Sequence, residues 1–111
     1  MAIYADITID QGSDFISTVS IVNAEGSSVD LSGYSFRGQI RKSYSSTTKV
    51  DFNIISNNPT SGDIILSLTA ETTKLMKDGR YVYDVELIAS SGSVNRVIEG
   101  QVYINPGVTR V

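Results

Sequence analysis

The chain contains no cysteine, no histidine and no tryptophan among its 111 residues. Without cysteine it can form neither a disulfide framework nor a thiolate site. Without histidine it lacks the most common general base and the most common zinc ligand. A serine nucleophile would need another base, and no strained G-x-S-x-G turn is present. We therefore expect a protein that is not an enzyme and that uses no metal or cofactor.

Excess charge of one sign and long apolar runs are missing too. The net charge is −3, and the nine Lys and Arg residues are scattered, with one short pair at Arg41–Lys42. No basic stripe can meet a phosphate backbone, so nucleic acid is not an expected partner. No apolar run approaches the roughly 18 residues of a membrane span. The residues Met1–Asp6 lack the basic and apolar regions of a signal peptide, so we expect the chain to fold in a cytoplasm without contact with a membrane.

The main positive signal is the recurrence of apolar residues at every second position, which indicates half-buried β-strands. Seven segments show it, and turn-forming residues separate them at intervals of about 8 to 12 residues, as in β-sandwiches. In the fourth segment Val50, Phe52 and Ile54 alternate, and in the seventh Val94 is expected to share one face with Ile98 and Val102. The segments begin at Ile3, Phe15, Tyr34, Val50, Ile64, Tyr81 and Val94.

The stretch from Thr69 to Asp78 interrupts this alternation and predicts one short helical turn. Thr69 can cap its N-terminus and Glu71 suits the helix dipole, while Gly79 suits the position after its C-terminus. Leu75 or Met76 would anchor the turn in the core.

The segment from Asp78 to Tyr83 resembles the entry to strand F of immunoglobulin domains. There, the hydroxyl of a corner tyrosine bonds to the preceding backbone, two residues before a core cysteine. The resemblance makes Tyr81 the corner residue and puts Tyr83 in the place of the cysteine. The predicted fold is all-β: one immunoglobulin-like antiparallel sandwich of about seven strands with a short helical turn, spanning residues 1–111 and ending in an extended tail at 105–111.

A wider resemblance rests on the order of several turn motifs, which are Gln11-Gly12, Val29-Asp30-Leu31-Ser32-Gly33, Gly62-Asp63-Ile64, Leu68-Thr69 and Asp78-Gly79-Arg80-Tyr81. This order is similar to the N-terminal domain of phage upper baseplate proteins and related small virion proteins. The resemblance implies a structural protein of a phage tail or baseplate, present in the virion and in the host cytoplasm during assembly. Its partners would be other virion structural proteins. A capsid decoration protein and a carbohydrate- or host-surface-binding module are the alternatives.

Immunoglobulin-like strand order also predicts a charged outer face. Arg37, Gln39 and Arg41 would stand beside Asp84 and Glu86, with Glu99 and Gln101 beyond them. Candidate interface residues on the outer faces are Tyr4, Val82, Val97 and Tyr103, with Tyr44 in a loop. We expect a homo-oligomer because several apolar residues fall on nominally polar faces; these are Ile16, Val22, Ile65, Val82, Ile88 and Val97. The predicted core is Phe15, Val19, Phe36, Ile40, Phe52, Leu66, Tyr83, Val85, Leu87 and Val102.

Overall fold

The structure, a computed structural model, describes residues 3–23 and 25–109 and is an all-β sandwich of two sheets. In that part of the chain no helix is long and apolar enough to span a membrane. The strands are β1 (Ile3–Tyr4), β2 (Ile7–Asp10), β3 (Phe15–Ser20), β4 (Ser35–Arg41), β5 (Val50–Asp51), β6 (Asn53–Asn58), β7 (Asp63–Leu68), β8 (Gly79–Ile88) and β9 (Val94–Asn105). Between them lie a 3-10 turn at Pro59–Ser61 and the helix α1 (Ala70–Lys74).

The larger sheet has the order β1–β9–β8–β4–β5, with β2 also paired to β9, and the smaller sheet has the order β3–β7–β6. This is the immunoglobulin-like division, in which β4, β8 and β9 take the places of strands C, F and G. One feature departs from the predicted antiparallel pairing, because β1 and β2 run parallel to β9.

The predicted first strand is broken at Ala5 and Asp6, so β1 and β2 are separate pieces. The Ala5 N–H donates to the Glu99 carbonyl oxygen over 2.9 Å, and the Gln101 N–H donates to Asp6 Oδ1 over 3.1 Å. A Cβ atom at Gly100 would lie 2.1 Å from the Ala5 carbonyl oxygen. The absence of a side chain at Gly100 therefore allows the first strand to approach β9 this closely.

The predicted fourth strand is two strands that belong to different sheets. β5 pairs with β4 in the larger sheet, whereas β6 pairs with β7 in the smaller one. Phe52, at the crossing, donates its N–H to the Gly38 carbonyl oxygen over 3.0 Å. Its buried ring packs 6.3 Å from the Phe15 ring and 5.9 Å from the Tyr83 ring. The chain thus passes from the larger sheet to the smaller one at Phe52, whose side chain is buried between the two sheets.

A β-bulge corrects the predicted faces of the last strand. Val85 lies opposite Ile98, but Glu86 lies opposite Arg96, so Val97 is the extra residue. The alternation reverses at this point. Val94 is therefore exposed and does not share a face with Ile98, whereas Val97 is half-buried against the core.

The predicted core residues all lie in or against one hydrophobic cluster between the sheets. Ile40, Phe52, Leu66, Tyr83, Val85, Leu87 and Val102 are buried, and Phe15, Val19 and Phe36 are half-buried and pack against them. The middle strand of the smaller sheet contributes Ile64 and Leu66, both with no exposed surface. Leu31, from the loop before β4, completes the core at one end and donates its N–H to the Pro59 carbonyl oxygen.

Local capping and corner interactions follow the sequence closely. Thr69 caps α1, since its Oγ1 accepts the Thr72 N–H over 3.3 Å, and Met76 is the buried anchor while Leu75 is exposed. Gly79 is not the residue after the helix, which ends at Lys74, but the first residue of β8. The Tyr81 hydroxyl donates to the Lys77 carbonyl oxygen over 2.7 Å, which confirms the tyrosine corner.

Candidate functional site

The outer face of the larger sheet concentrates tyrosine, arginine and carboxylate side chains. Strands β4, β8 and β9 supply it because alternate residues point away from the core. We call this surface the tyrosine–charge face. It consists of Arg37, Gln39, Arg41, Val82, Asp84, Glu86, Arg96, Glu99 and Gln101, together with Tyr4, Tyr44 and Tyr103.

Arg37 and Glu86 are direct cross-strand neighbours on β4 and β8. The Arg37 Nε atom lies 2.6 Å from Glu86 Oε1. The pair therefore lies on one face, as the strand order predicts. Both side chains are partly exposed, so an ion pair of this kind contributes about 0.2–1 kcal/mol to stability and serves mainly to align the strands.

Arg96 neutralises two carboxylates that the sheet places opposite each other. Asp84 and Glu99 are cross-strand partners, an arrangement that is destabilising for like charges. The Arg96 Nε atom lies 3.3 Å from Asp84 Oδ2, and its Nη1 atom lies 3.9 Å from Glu99 Oε1. Sequence reasoning left Arg96 out of the predicted charge ladder, because only the bulge at Val97 brings it beside Asp84.

Partial burial raises the pKa of Asp84, and the neighbouring carboxylates of Glu86 and Glu99 raise it further. The Arg96 and Arg37 guanidinium groups act in the opposite direction, but they do not cancel the cost of desolvation. Asp84 lies at the centre of the ladder, between Gln39 on β4 and Glu99 on β9.

Arg41 has a different environment from Arg37 and Arg96. Its Nη1 atom donates to the Ser46 carbonyl oxygen over 2.5 Å, and its Nη2 atom donates to Gln39 Oε1 over 3.0 Å. Neither acceptor carries a charge, and within residues 3–23 and 25–109 no carboxylate forms an ion pair with Arg41. The Asp51 carboxylate lies nearby, since Arg41 is among the groups that lower its pKa, but its direct ion pair is with Lys49.

Three tyrosines border the charged residues. Tyr4 is 64% exposed and Tyr44 is 83% exposed, and Tyr103 donates its hydroxyl to Gln101 Oε1 over 2.5 Å. Partial desolvation raises the pKa of Tyr4, and the nearby Asp6 carboxylate and the Tyr44 and Tyr103 phenols add to the effect. The three rings come from β1, the loop after β4, and β9, so only the folded sheet brings them near one another.

Two shallow clefts run across this face. One, of about 300 Å³, is lined by residues that include Gln39, Arg41, Tyr44, Val82, Asp84 and Arg96. The other, of about 280 Å³, lies beside it around Arg37 and Glu86. Both are open and largely polar, a shape that accommodates protruding side chains of a partner better than an enclosed small molecule.

Two of the candidate interface residues differ in their availability. Val82 lies half-buried on the face, between Arg41 on β4 and Gln101 on β9. Val97 was expected on an outer face, and this expectation was wrong, because the bulge turns its side chain against the core.

The spacing of Asp84 and Glu86 also suits cation ligands in principle, but each is paired with an arginine. No cluster of three or more metal-ligating side chains occurs in the described ranges.

The outer face of the smaller sheet is different in character. It carries Ile16, Ile55 and Ile65, with Ile16 72% exposed. Ile55 and Ile65 lie directly opposite each other on β6 and β7. The sequence pattern predicted Ile16 and Ile65 on an outer face. It did not predict Ile55, because the alternation of Val50, Phe52 and Ile54 points these three residues inward and makes Ile55 an outward position, where a polar residue is expected.

The chain matches no protein-family model, and no curated protein matches it in sequence. Among solved structures, an internalin-like protein of Listeria monocytogenes is similar in fold, with 17% sequence identity and a TM-score of 0.47. The similarity covers 94% of this chain and 28% of that protein, so the chain spans less than a third of the neighbour's length.

Proposed function

We propose that this chain is a non-enzymatic structural module that binds another protein through the tyrosine–charge face. The observation that carries the proposal is the convergence of Tyr4, Tyr44 and Tyr103 on a sheet surface that also holds Arg41, whose guanidinium donates to uncharged acceptors. Tyrosine and arginine are enriched in protein interfaces, because each offers a large contact area with a polar end.

The charges of the same face favour a specific partner over a merely sticky surface. Arg37, Arg96 and Arg41 alternate with Asp84, Glu86 and Glu99, so the face has little net charge but a defined pattern. A partner that presents a carboxylate near Arg41 could form a direct ion pair with its guanidinium, whereas a misaligned partner would meet like charges. The expected partner surface is thus acidic opposite Arg41 and apolar opposite Val82 and Tyr44.

For the biological setting we propose a phage virion, with the chain as a tail or baseplate component that assembles in the host cytoplasm. Support for this setting comes from the ordered turn motifs. Several of their residues have structural tasks: Leu31 is buried, and a Cβ atom at Gly62 would lie 2.6 Å from the Ile21 carbonyl oxygen. A role in capsid decoration would use the same face and differs only in the surface it contacts.

The experiment compares incorporation into particles. Phage particles are purified from cells that express the tagged chain, and its copy number is measured by quantitative mass spectrometry. We expect wild type in the particles and a loss of at least about tenfold for Tyr44→Ala combined with Tyr103→Ala, because truncation of two interface aromatics commonly removes several kcal/mol. Ile55→Ala, on the opposite face, is the matched control and should be incorporated normally. Equal incorporation of both variants would refute the tyrosine–charge face, and absence of wild type from particles would refute the setting.

A second candidate function is carbohydrate binding, which the cleft between Tyr44 and Asp84 favours because sugars pack on exposed aromatic rings. Binding of the purified chain to a glycan array, with loss of signal in Tyr44→Ala, would support this candidate in place of protein binding.

A further inference from the structure

The edge of the smaller sheet at β3 is open. β3 pairs with β7 on one side, and among residues 3–23 and 25–109 no strand pairs with its other side. Alternate residues of the six-residue strand β3 therefore direct their backbone N–H and C=O groups to the open side. Such an edge is a template for pairing with another strand unless it is protected.

Other sheet edges of the described chain carry protective features. β5 is two residues long, and its Asp51 pairs with Lys49. β6 contains a register shift between Ile55 and Asn58 and is followed by Pro59. The β1–β2 edge is broken at Ala5 and Asp6. Short strands, charges, bulges and prolines are the usual means of preventing edge-to-edge pairing.

β3 has none of these features. Its sequence, Phe-Ile-Ser-Thr-Val-Ser, contains no charged residue, proline or glycine, and its pairing with β7 is regular over all six residues. Its inward residues Phe15 and Val19 are only half-buried, whereas Ile64 and Leu66 on the neighbouring strand are fully buried. A strand added at this edge would satisfy backbone groups and cover the remaining surface of Phe15 and Val19.

We propose that β3 pairs antiparallel with β3 of a second copy of this chain, across a twofold axis at Thr18. The sheets of two molecules would join into one continuous six-stranded sheet. This inference goes beyond the proposed function, because it concerns the smaller sheet and leaves the tyrosine–charge face free for another partner.

The twofold arrangement follows from charge and register. In an antiparallel pair, directly opposite residues have their side chains on the same face of the sheet. The inner faces of the two copies therefore coincide only if the twofold axis passes through a residue and not between two residues. A centre at Ser17 would place Asp14 of the second copy opposite Ser20, whose hydroxyl donates to Asp63 over 2.7 Å. The Asp14 and Asp63 carboxylates of the two copies would then be separated by two strand spacings, or about 10 Å, half the separation of the nearest such pair for a centre at Thr18. A centre beyond Thr18 would carry the pairing into the loop that follows Ser20.

A centre at Thr18 avoids both problems. It places the exposed Thr18 side chains opposite each other and Ile16 opposite Ser20 of the second copy, a large residue against a small one. Cross-strand threonine pairs are favourable. The two Asp63 carboxylates would lie about 20 Å apart, from four residue spacings along the strands and three strand spacings across them. This distance exceeds the Debye length of about 8 Å at physiological salt.

The first measurement is the mass of the purified full chain by analytical ultracentrifugation over a range of concentrations. We expect a reversible dimer for wild type. Thr18→Lys should raise the dimer dissociation constant by at least about tenfold, because two lysines would face each other at the axis. Asn53→Lys, on the same outer face but on the opposite edge, is the matched control and should leave the dimer intact. Circular dichroism establishes that both variants are folded.

Two further variants test the register. A mixture of Thr18→Lys and Thr18→Glu should restore a dimer that neither forms alone, because opposite charges then meet at the axis. Thr18→Cys should form a disulfide-linked dimer on mild oxidation, and the result is unambiguous because the chain has no other cysteine. Asn53→Cys should not.

The proposal is overturned if wild type is monomeric at all concentrations, or if its dimer is unchanged by Thr18→Lys. A dimer sensitive to Thr18→Lys that is neither restored by the mixture nor cross-linked through Thr18→Cys would overturn the twofold register. Incorporation into particles is read separately, so failure of the tyrosine–charge face would leave a dimer measurement unaffected.

Discussion

The Tyr83 hydroxyl donates a hydrogen bond to the Ala5 carbonyl oxygen, 2.5 Å away, and thereby ties the first strand of the chain to the centre of the sandwich. Tyr83 is buried and its ring meets the edge of Phe52. The residue that takes the place of the immunoglobulin cysteine thus links different parts of the fold by a hydrogen bond where a disulfide would otherwise do so.

Removal of this hydroxyl should destabilise the fold. Tyr83→Phe leaves the Ala5 carbonyl oxygen without this donor. Ala5 is exposed, so water can replace the donor, and we expect a loss of about 0.5–1.5 kcal/mol in the free energy of unfolding, measured by urea denaturation. Tyr34→Phe is the control, because the Tyr34 hydroxyl makes no hydrogen bond within the described ranges and its loss should cost little. Equal effects of the two changes would contradict the role of the Tyr83–Ala5 bond.

Stability should also fall at alkaline pH through the same group. The pKa of Tyr83 is raised to about 12, chiefly by burial and in smaller part by the nearby Asp6 carboxylate and Tyr4. Because the folded-state pKa lies above the unfolded value of about 10, the contribution is fully present below pH 10 and is lost as pH rises towards 12. The pKa values of Tyr4 and Tyr81 are raised as well. The difference between wild type and Tyr83→Phe isolates the Tyr83 contribution, and it should shrink over this window.

Gly100→Ala should displace the first strand. The new methyl group would lie 2.1 Å from the Ala5 carbonyl oxygen and 2.8 Å from its carbonyl carbon, and both are backbone atoms. We expect a loss of about 3 kcal/mol and earlier proteolytic cleavage near Ala5, since overpacking against backbone is poorly relieved. Gly38→Ala is a graded control, because the closest contact there is 3.0 Å. A smaller effect at Gly100 than at Gly38 would contradict this account.

Truncation of a core side chain should lower the free energy of unfolding by an amount that depends on how deeply the side chain is buried. Leu66→Ala should cost about 2–5 kcal/mol, since the side chain is fully buried between the sheets. Phe36→Ala should fall towards the lower end of that range, because Phe36 is half-buried. Ile16→Ala, at an exposed position, should change the unfolding midpoint very little. Unfolding midpoints that did not move in Leu66→Ala would refute the core.

Arg96→Gln should raise the pKa of Asp84, because Arg96 is the nearest group that lowers it. The carboxyl titration of Asp84, followed by NMR, provides the measurement. The accompanying loss of stability should stay below about 1 kcal/mol and diminish at high salt, since the pair is partly exposed. Lys49→Gln is the control, because Lys49 pairs with Asp51 and should leave Asp84 unchanged. An unchanged Asp84 titration in Arg96→Gln would show that the ion pair is not formed in solution.

Much of the fold could be predicted because its determinants are local. Alternation along β3, β4, β7 and β8 depends only on successive side chains pointing to opposite faces. The facing of Arg37 and Glu86 needed the strand order of the immunoglobulin resemblance as well. The cap at Thr69 and the corner at Tyr81 likewise involve partners three and four residues away. Absence of cysteine and histidine excluded disulfide and histidine chemistry without any structure.

Other features were decided by contacts between residues far apart in the chain. Residues 50–58 alternate throughout much of their length, but burial of Phe52 between Phe15 and Tyr83 sends the two halves to different sheets. The bulge at Val97 arises from pairing with β8 and reverses a face that periodicity alone assigned wrongly. It also brings Arg96 to Asp84. The parallel pairing of β1 and β2 with β9 leaves β3 without a second neighbour. A period of two specifies which residues of a strand share a face. It does not specify which other strand pairs with that strand, because pairing depends on the packing of the whole sandwich.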